Sequence, residues 1–584
     1  MSDFRFSPRA NRASDIGWMA WDADAFERAR TEDKPILLSI SAVWCHWCHV
    51  MDETSYSDPG VIAAINERFV PIRVDNDRRP DVNARYNMGG WPTTAFLAPD
   101  GSTLTGATYL PPDAMRRALD EIAQFYAGNK AEITARTAAM QARSAGHKPS
   151  AAEDLRDSMI VALIEEVTEG YDDEYGGFGD APKFPQPELL EFLLTEWRLA
   201  RDQRLYAMVA RTMLGMSRGG TYDHVEGGFF RYSTTRDWSV PHFEKMAEEH
   251  AGLLRVLAQL ALFAPTDEFH ATLASAVGYV RSTLRDPGTG FFAGSQDADE
   301  EYFALPLDER RSRTAPYVDR TSYTNWTCAL AGAWFLAAIA LDDDVLLREA
   351  SQTLDSVHAR LMDPDGLAYH FIVPGGTPQV RGLLTDQAAY LRALLDAHEV
   401  SGEARFIERA RTLADRIVER FEAEGGGFYD HLPLEVQLGR LEIGDRPIVD
   451  NGLLADALLR LSALTGGLHY RTHAERALAL YAGTYAAAGS FAATYGRALR
   501  RYLSPEVSVR IVGEAAGTAG FREAALRLPT PMTAIRTIGP EAAAELGLPP
   551  DPHPAAYVCA GTVCGAPARD PAGLRAAYDR LGPP

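Results

Sequence analysis

Residues 36–49 read ILLSISAVWCHWCH, an apolar strand pattern that runs directly into Cys45 and Cys48. We expect the cysteine motif to open a helix, so that the first thiol lies at the helix N-terminus. The positive end of the helix dipole lowers the pKa of such a thiol and favours its nucleophilic thiolate. A thiol three residues later lies one turn further on, where it can resolve a mixed disulfide. This stretch therefore predicts a redox-active pair in an α/β fold.

The motif Cys-His-Trp-Cys-His also fits other chemistries. It matches the haem c attachment pattern, but haem attachment normally requires export, and the first residues lack the basic start, apolar core and cleavage site of a secretory signal. Metal binding by Cys45, Cys48 and the neighbouring histidines stays open, although no second ligand pair follows at a zinc-like spacing. Two cysteines that are neighbours by chance are the remaining alternative. We favour the redox pair and predict no metal and no other cofactor.

The segments around the motif alternate between strand and helix patterns, which is typical of an α/β sheet. Strands are predicted at residues 69–75 and 93–99, with a helix from Pro59 between the first cysteine motif and these strands. We place this domain at residues 1–140. The Gly, Pro and Ser residues of the following stretch, 141–152, indicate a linker.

The chain has 584 residues, of which 46% are hydrophobic, and its 58 Lys and Arg against 80 Asp and Glu give a net charge of −22. That much apolar material indicates large buried cores and excludes a wholly disordered protein. The acidic balance argues against binding to nucleic acid or anionic membranes through general electrostatics. Five cysteines are too few for a secreted disulfide scaffold. We therefore expect a cytoplasmic protein that binds neither nucleic acid nor membranes.

Residues 322–341 (SYTNWTCALAGAWFLAAIAL) contain no charged side chain and are long enough to cross a membrane. The most apolar part of the segment is rich in alanine and is bracketed by Asn325 and Asp342. We predict a buried helix packed among other helices.

Residues 153–505 have a helical pattern that is interrupted by a recurring turn of glycines and aromatic residues. The six copies are Gly176-Gly177-Phe178, Gly227-Gly228-Phe229-Phe230, Gly290-Phe291-Phe292, Gly366-Leu367-Ala368-Tyr369, Gly425-Gly426-Gly427-Phe428-Tyr429 and Gly489-Ser490-Phe491. Their spacing leaves room for two helices in each repeat, so we predict six helical hairpins closed into an (α/α)6 toroid, with the turns at one rim. An open helical array is the alternative. Residues 506–584 return to strand patterns and form a small C-terminal α/β region.

The densest polar cluster of this helical region lies at residues 219–246. Sugar sites use aromatic platforms together with carboxylates or histidines that act as acid and base. We predict His242 and Glu244, just before a helix, as catalytic residues. Substrate contacts are predicted for Asp223, His224, Glu226, Arg231, Trp238, Asp297 and Asp299. Further candidates at the rim are Asp172, Asp173, Glu174, Lys183, Asp386, Asp430, Asp450 and Asn451. The alternative is that these residues cap helices and tie neighbouring hairpins together through ion pairs.

The N-terminal region resembles the thioredoxin fold, in which a strand, a Cys-x-x-Cys helix start, a helix, a strand and then a proline before the next strand follow in this order. The resemblance implies that Cys45 is the attacking thiol, that Cys48 is the resolving thiol and that Pro92 is a cis-proline beside them. It also implies that His46, Trp47, Trp91 and Pro92 contact the substrate. 

This chain departs from the thioredoxin pattern at two places. His46-Trp47 stands between the cysteines instead of Gly-Pro, and Ser39 stands six residues before Cys45, where thioredoxins have a buried Asp. The first departure is expected to alter the redox poise, and the second removes the usual proton relay to the resolving cysteine.

Longer strings extend the resemblance beyond one domain. WCHWCHVM, GGWPTT, APKFP (181–185), PHFEKM (241–246) and the pair Cys559 and Cys564 after Tyr557-Val558 are similar to the spermatogenesis-associated thioredoxin-domain family, also called the YyaL-type proteins. The family implies a thioredoxin-like domain fused to a six-hairpin (α/α)6 barrel like those of N-acylglucosamine epimerases and some glycosidases. One departure is Tyr323-Thr324-Asn325-Trp326, which replaces a Thr-Ala-Trp-Asn pattern and leaves the role of that Asn open.

Three functions follow as hypotheses from the motifs and the resemblance. The first is a thiol–disulfide redox protein fused to a barrel that binds or processes carbohydrate. The second makes the barrel a sugar epimerase or glycoside hydrolase that the thioredoxin-like domain regulates, and the third is a non-enzymatic metal-binding or scaffold protein. The expected partners are protein or small-molecule thiols and disulfides, together with a carbohydrate ligand in the barrel.

Overall fold

The computed structural model describes residues 4–145, 154–434, 436, 438–548, 553–561 and 563–581. The chain forms two compact units. Unit 1 comprises residues 1–149 and 431–445, and unit 2 comprises residues 150–430 and 446–584. Most of the linker predicted at 141–152 lies outside the described residues, and its first five residues continue a helix.

Unit 1 has one four-stranded sheet and five helices. The elements are α1 (Ala23–Glu32), β1 (Ile36–Ser41), α2 (His46–Glu53), α3 (Pro59–Arg68), β2 (Val70–Asp75), α4 (Pro80–Tyr86), β3 (Thr93–Leu97), β4 (Thr103–Ala107) and α5 (Pro112–Ala145). The strand order is β2-β1-β3-β4, with β1 parallel to β2 and antiparallel to β3, and β4 antiparallel to β3. This is the order of a thioredoxin-like sheet.

Strand β1 is buried along its whole length, including Ser39 and Ser41, because both faces of the sheet are covered. Ile36, Leu38 and Ile40 pack into one apolar cluster with Phe26. The alternating residue Leu37 packs into a second cluster on the other face. A strand buried on both faces has a continuous apolar pattern rather than an alternating one.

Residues 431–445 lie between two barrel helices in the sequence but belong to unit 1. Leu438 and Leu441 join the apolar cluster around β1, and the hydroxyl of Tyr86 accepts a hydrogen bond from the backbone N–H of Arg440 at 2.7 Å. Gly101 has φ +83°, and a Cβ there would lie 2.3 Å from the Cα of Gly439. The range 153–505 predicted for the barrel therefore contains a segment that packs with the other unit.

Unit 2 consists of the helical barrel and the C-terminal region. The barrel helices are α6 (Asp157–Glu169), α7 (Pro187–Ala200), α8 (Gln203–Arg218), α9 (Ala247–Phe263), α10 (Asp267–Tyr279), α11 (Glu300–Phe303), α12 (Leu307–Arg310), α13 (Thr324–Leu341), α14 (Asp344–Arg360), α15 (Leu384–Ser401), α16 (Ala404–Phe421), α17 (Ile448–Thr465), α18 (Leu468–Tyr481) and α19 (Ala493–Leu503). The short strands between them are β5 (Tyr232–Ser233), β6 (Pro241–His242), β7 (Lys245–Met246), β8 (Ser295–Gln296), β9 (Val318–Asp319), β10 (Ser322–Tyr323), β11 (Tyr369–Ile372) and β12 (Gln379–Arg381).

The barrel helices form two concentric rings. Each of α7, α9, α13, α15, α17 and α19 contacts the next in this order, and α19 contacts α7, so the inner ring is closed. The outer helices α6, α8, α10, α14, α16 and α18 each pack on an inner helix. The closed ring confirms the predicted (α/α)6 toroid rather than an open array.

Helix α13 is the segment with the length and hydropathy of a membrane span. It is an inner helix that packs against α9, α14 and α15, and most of its side chains are buried. The prediction of a buried helix is confirmed. The uniform apolar character reflects its place in the ring, where neighbours contact it on several sides.

Five of the six glycine turns recur as one structure. Each follows an outer helix and is closed by a backbone bridge; the bridged pairs are Tyr171–Phe178, Tyr222–Phe229, Arg285–Phe292, Met362–Ala368 and Glu422–Phe428. The sixth copy differs, because Gly489 lies within the 3-10 segment Tyr485–Ala492, where no such bridge is found among the described residues.

The C-terminal region repeats the sheet topology of unit 1. Its elements are β13 (Val507–Val512), α20 (Ala519–Leu526), β14 (Ala534–Ile538), α21 (Pro540–Glu545), β15 (Ala555–Ala560), β16 (Val563–Cys564) and α22 (Gly573–Leu581). The strand order is β14-β13-β15-β16, with β13 parallel to β14 and antiparallel to β15, and β16 antiparallel to β15. The small α/β region therefore has a thioredoxin-like sheet of its own.

Candidate functional site

Cys45 occupies the N-cap position of α2. Its backbone is extended, and its sulfur accepts the backbone N–H of Cys48 at 3.2 Å. The two cysteines form a disulfide. Both cysteines are buried, with 4% of Cys45 and 2% of Cys48 exposed. A sulfur that caps a helix receives backbone N–H groups and the positive end of the dipole, which stabilise a thiolate after reduction.

Aromatic residues surround the disulfide. Trp47 is 52% exposed and packs on Tyr109 with ring centroids 5.4 Å apart. Trp91 contacts Trp44, the residue before Cys45, with ring centroids 5.7 Å apart. The peptide bond from Trp91 to Pro92 is cis. The residues predicted to contact a substrate here are His46, Trp47, Trp91 and Pro92. His46 is exposed, and the structure brings Trp91 beside the cysteine loop.

A buried ion pair lies beneath α2 and was missed in the sequence. The two carboxylate oxygens of Asp52 accept from Arg73 at 2.7 and 3.0 Å, and both side chains are almost fully buried. Asp52 follows Cys48 by four residues, which places both on one face of the helix. Ser39, at the position of the thioredoxin Asp, is buried in β1. The spacing from Cys48 to an acidic residue was the available signal.

His49 is half-buried beside the resolving cysteine. Burial lowers the pKa of His49, while the nearby Asp52 acts in the opposite direction. The imidazole is therefore held towards its neutral form.

His242 and Glu244, the predicted catalytic residues, lie just before α9, at the end of the ring where the inner helices begin, which we call the barrel mouth. The imidazole Nδ1 contacts a carboxylate oxygen of Glu244. The ring of His242 stacks on Tyr232 at 4.9 Å, and Tyr232 stacks on Phe184 at 4.7 Å. Phe184 is 41% exposed. These three rings form an aromatic ladder that ends at solvent, and Tyr232 and Phe184 were not predicted as site residues.

Three carboxyl groups gather at the N-terminal ends of α7 and α9. Glu244 is almost fully buried, and its second oxygen and one oxygen of Glu249 have no hydrogen-bond partner among the described residues. Burial raises the pKa of Glu249; Arg231, 3.7 Å away, opposes the shift, and Glu188 and Glu244 add to it. Burial also raises the pKa of Glu188. A carboxyl group with a raised pKa keeps its proton up to a higher pH, which suits it to act as a general acid.

More acids lie at the N-terminal ends of α15 and α17. Asp386 is buried and accepts from His370 Nδ1 at 3.0 Å and from the backbone N–H of Asn325 at 3.1 Å. Burial raises the pKa of Asp386. Burial, with the charges of Asp430 and Asp386, raises the pKa of Asp450 to about 7. The mouth therefore contains several carboxyl groups whose pKa values are raised by burial.

Asp223 and Lys245 form a buried structural pair. The ammonium of Lys245 donates to Asp223 at 2.7 Å and to the backbone carbonyl of Gly227 at 2.8 Å. The preceding glycine turn repeats this arrangement, because Lys183 donates to Asp172 at 2.6 Å and to the carbonyl of Gly176 at 2.9 Å. The same geometry in two successive turns indicates that the pairs tie each turn to the segment that follows it.

The other predicted contact residues are held by partners within the chain. Trp238 is fully buried and donates to the carbonyls of Tyr175 and Gly176, because its ring packs beneath the first glycine turn; it is not a platform open to a ligand. Glu226 accepts hydrogen bonds from Arg310 and Tyr302. His224 contacts the carbonyl of Gly219. Asp297 accepts from the backbone N–H of Ala298, and Asp299 caps α11. In the described ranges, no group of three or more His, Cys, Asp or Glu residues is arranged to hold a metal ion.

Comparisons with known proteins identify several proteins that are similar to this chain. Residues 8–144 match the Thioredox_DsbH family, described as "Protein of unknown function, DUF255". Human spermatogenesis-associated protein 20 is 28% identical over 592 residues, which cover 77% of this chain and 74% of the human protein. The mouse protein is 38% identical over 310 residues, 49% of this chain and 39% of its own length. The thiol:disulfide interchange protein DsbD of Pseudomonas fluorescens is 30% identical over 81 residues, 13% of this chain and 14% of that protein.

Among solved structures, cellobiose 2-epimerase from Bacillus thermoamylovorans covers 56% of this chain and 88% of its own, with a TM-score of 0.47 and 12% identity. A family 76 glycoside hydrolase from a bovine Bacteroides thetaiotaomicron strain covers 59% of this chain and 77% of its own, with a TM-score of 0.44 and 10% identity. The chain is similar to spermatogenesis-associated protein 20 over most of its length, and its own structure contains a thioredoxin-like sheet and a closed (α/α)6 ring of helices.

Proposed function

We propose that unit 1 exchanges thiols and disulfides at Cys45 and Cys48. The observation that carries the proposal is the N-cap position of Cys45, whose sulfur accepts the N–H of Cys48. That position supplies a stabilised thiolate without any other charged group. The exposed Trp47 and His46 offer contacts for a protein or small-molecule disulfide.

The exchange is a two-step reaction that balances within the partners. The Cys45 thiolate attacks one sulfur of a substrate disulfide, forms a mixed disulfide and releases the first substrate thiol. The Cys48 thiolate then attacks the Cys45 sulfur, forms the Cys45–Cys48 disulfide and releases the second thiol. The chain loses two electrons and the substrate gains them, and the reverse sequence oxidises a dithiol.

The second step needs Cys48 to lose its proton. Ser39 cannot take it as a carboxylate would, and Asp52 is neutralised by Arg73. His49 is the nearest titratable residue in sequence, and its lowered pKa keeps a free imidazole nitrogen at neutral pH.

Exchange kinetics test the proposal. The reduced chain is mixed with a fluorogenic glutathione disulfide, and the release of thiol is followed for wild type, Cys45→Ser and Cys328→Ser. Cys328 is a buried free cysteine in the barrel and serves as the matched control. Cys45→Ser is expected to lose the exchange and Cys328→Ser to keep it. Equal rates in wild type and Cys45→Ser would contradict the proposal.

A second candidate function belongs to the barrel mouth, which we assign to a neutral carbohydrate-like ligand. The aromatic ladder Phe184–Tyr232–His242 offers ring faces for the apolar side of a sugar. The unpartnered oxygens of Glu244 and Glu249 offer acceptors for hydroxyl groups. Acids with raised pKa values next to a histidine are the groups that proton transfer on a sugar requires.

Binding and turnover measurements separate this function from the redox function. A panel of reducing sugars and oligosaccharides is incubated with wild type, Glu249→Gln, His242→Ala and the control Glu226→Gln, whose carboxylate is occupied by Arg310. The site variants are expected to lose binding or conversion while the control keeps it. If every sugar fails to bind wild type, the assignment is wrong, and the exchange activity of unit 1 is not affected.

A further inference from the structure

The inner ring of the barrel encloses a cavity away from the mouth. Its volume is about 130 Å³, and all six inner helices line it along their middle and C-terminal parts. Residues 525–535, between α20 and β14, complete the lining. One water molecule takes up about 30 Å³ in the liquid, so this floor cavity has room for a small ligand.

The floor cavity is rich in charge, and arginine is in excess. The arginines are Arg198, Arg255, Arg392, Arg460, Arg497 and Arg501, and the acids are Glu191, Asp396, Glu399 and Asp456. Six arginines against four acids leave a net charge of +2. This local sign is opposite to the net charge of −22 of the whole chain.

The acids of the floor cavity are already paired with arginines. The pairs are Glu191 with Arg392 (2.5 Å) and Arg497, Asp396 with Arg255 and Arg460 (2.9 Å), Glu399 with Arg460 (2.5 Å) and Asp456 with Arg501 (2.6 Å). Although burial acts in the opposite direction, the arginines hold the pKa values of Glu191, Asp396 and Asp456 below their ordinary range. These acids therefore contribute all their charge, and the excess of two positive charges remains.

Arg198 supplies one of the uncompensated charges. Its guanidinium packs over Phe263 and donates to the backbone carbonyls of Leu528 and Pro529 at 3.1 and 3.3 Å. Within the described parts of the chain, no acidic side chain pairs with it. Burial lowers the pKa of Arg198 to about 9, so the side chain still carries its charge at neutral pH. Such a buried charge is costly unless a counter-ion is present.

Two other arginines have donors without acceptors. Nε and Nη2 of Arg497 and Nε of Arg392 are buried and have no hydrogen-bond partner among the described residues. Arg497 is almost fully buried, and its Nη2 is 3.7 Å from Asp456, beyond hydrogen-bond distance. Nearly all buried donors in proteins are satisfied, so an acceptor is expected here.

We propose that the floor cavity binds a small divalent oxyanion, namely inorganic phosphate or the phosphate group of a monoester. A dianion balances the excess charge of +2, and its oxygens accept from the donors that Arg392 and Arg497 leave open. The planar guanidinium group matches the geometry of a phosphate through paired hydrogen bonds. This site is independent of the redox disulfide and of the carbohydrate proposed for the mouth.

Calorimetric titration of the full chain with inorganic phosphate tests the proposal, with chloride at equal ionic strength as the reference. Wild type is expected to bind one phosphate per chain. Arg198→Met keeps an unbranched side chain in the lining but removes the charge, and Arg497→Gln removes Nε and Nη2, the two donor atoms that lack an acceptor. Each variant is expected to bind phosphate about tenfold more weakly or worse, since each loses a charged hydrogen-bond donor or a counter-charge.

Arg281→Gln is the matched control, because Arg281 also has two acidic partners, Glu349 and Asp343, but lies outside the floor cavity. It is expected to bind phosphate like wild type. A parallel titration with glycerol phosphate separates the sources: tighter binding than inorganic phosphate identifies a monoester ligand, and weaker binding identifies the free ion. No saturable binding by wild type, or equal binding by wild type and Arg198→Met, overturns the proposal even if Arg497→Gln does not fold.

Discussion

The sheet of unit 1 and the sheet of the C-terminal region share strand order and strand direction, and each carries a disulfide. In unit 1 the cysteines lie where β1 gives way to α2, so that one sulfur caps a helix. In the C-terminal region Cys559 and Cys564 lie directly opposite each other on the antiparallel strands β15 and β16. The same topology thus places a disulfide either at a helix start or across a hairpin.

This difference in position separates reactive from structural cysteines. Cys559 is fully buried in an apolar cluster with Val512 and Tyr557, so a thiolate released there would lose its solvation and gain no helix dipole. The turn after β13, which corresponds to the cysteine loop of unit 1, contains no cysteine. A thioredoxin-like sheet therefore does not by itself make a redox site; the helix-capping cysteine does.

The largest expected difference is in the rate of reduction. With limiting dithiothreitol at pH 7, Cys45–Cys48 is expected to open roughly 100-fold faster than Cys559–Cys564. Reduction of the first pair leaves a helix-capped thiolate at Cys45, whereas reduction of the second pair would release Cys559 as a thiolate in a fully buried apolar cluster. Timed alkylation followed by peptide mass spectrometry measures both rates in one sample. Equal rates, or faster opening of Cys559–Cys564, would remove the distinction between the two sheets.

The buried ion pair of Asp52 and Arg73 allows unit 1 and the C-terminal region to be compared by their stability. Asp52→Asn leaves Arg73 buried without its charge partner, and the free energy of unfolding of unit 1 is expected to fall by about 3–5 kcal/mol. In the C-terminal region, by comparison, Arg522 of α20 donates to two neutral acceptors, the hydroxyl of Thr518 and the backbone carbonyl of Val400. The change in the free energy of unfolding is measured by urea denaturation, monitored through hydrogen exchange in β1. Asp33→Asn, which removes the exposed partner of Lys130, is the control and is expected to cost less than about 1 kcal/mol.

Removal of the second disulfide is expected to have a smaller effect that is confined to stability. Cys559→Ser with Cys564→Ser frees a short loop, so the C-terminal region is expected to lose about 2 kcal/mol. Amide exchange in β15 measures this loss. The thiol-exchange rate of unit 1 is expected to stay at the wild-type value, and a fall in that rate would assign Cys559 and Cys564 to the redox reaction.

The smallest expected effect is a pH dependence centred on His49. Its pKa is lowered in the folded chain, so below about pH 6.5 the unfolded chain binds a proton that the folded chain does not bind. The stability of unit 1 therefore falls as the pH decreases through this range and is constant above it. His49→Gln is expected to flatten this part of the curve, as denaturation at pH 5 and pH 7.5 would show. A steeper loss in the variant would assign the acid sensitivity to other groups.

Features encoded in short stretches of sequence were predictable. The motif from Cys45 to His49, the proline at position 92 and the glycine turns each reflect local backbone requirements, and they indicated the thioredoxin-like sheet and the closed barrel. Cys45 and Cys48 form the disulfide expected of a redox pair, while the catalytic roles of His242 and Glu244 stay predictions.

Features that depend on distant contacts were not predictable. Residues 431–445 join unit 1 through Leu438 and Leu441, which no local pattern distinguishes from barrel residues. Glu188 and Glu249 meet only because α7 and α9 are neighbours in the ring. Trp238 looked like a ligand platform, but its indole N–H is used within the fold. The residue types at these positions are visible in the sequence, but their spatial neighbours depend on the closure of the helical ring.

Trapping of the mixed disulfide shows whether Cys45 attacks the substrate disulfide and Cys48 resolves the mixed disulfide. Reduced Cys48→Ser is mixed with glutathione disulfide, and the product is mapped by peptide mass spectrometry. In Cys48→Ser, glutathione is expected on Cys45, where it is stable because no resolving thiol remains. In Cys45→Ser, no glutathione is expected on Cys48 within the same time. Glutathione on Cys48 in Cys45→Ser at an equal rate, or no adduct on Cys45 in Cys48→Ser, would contradict these roles.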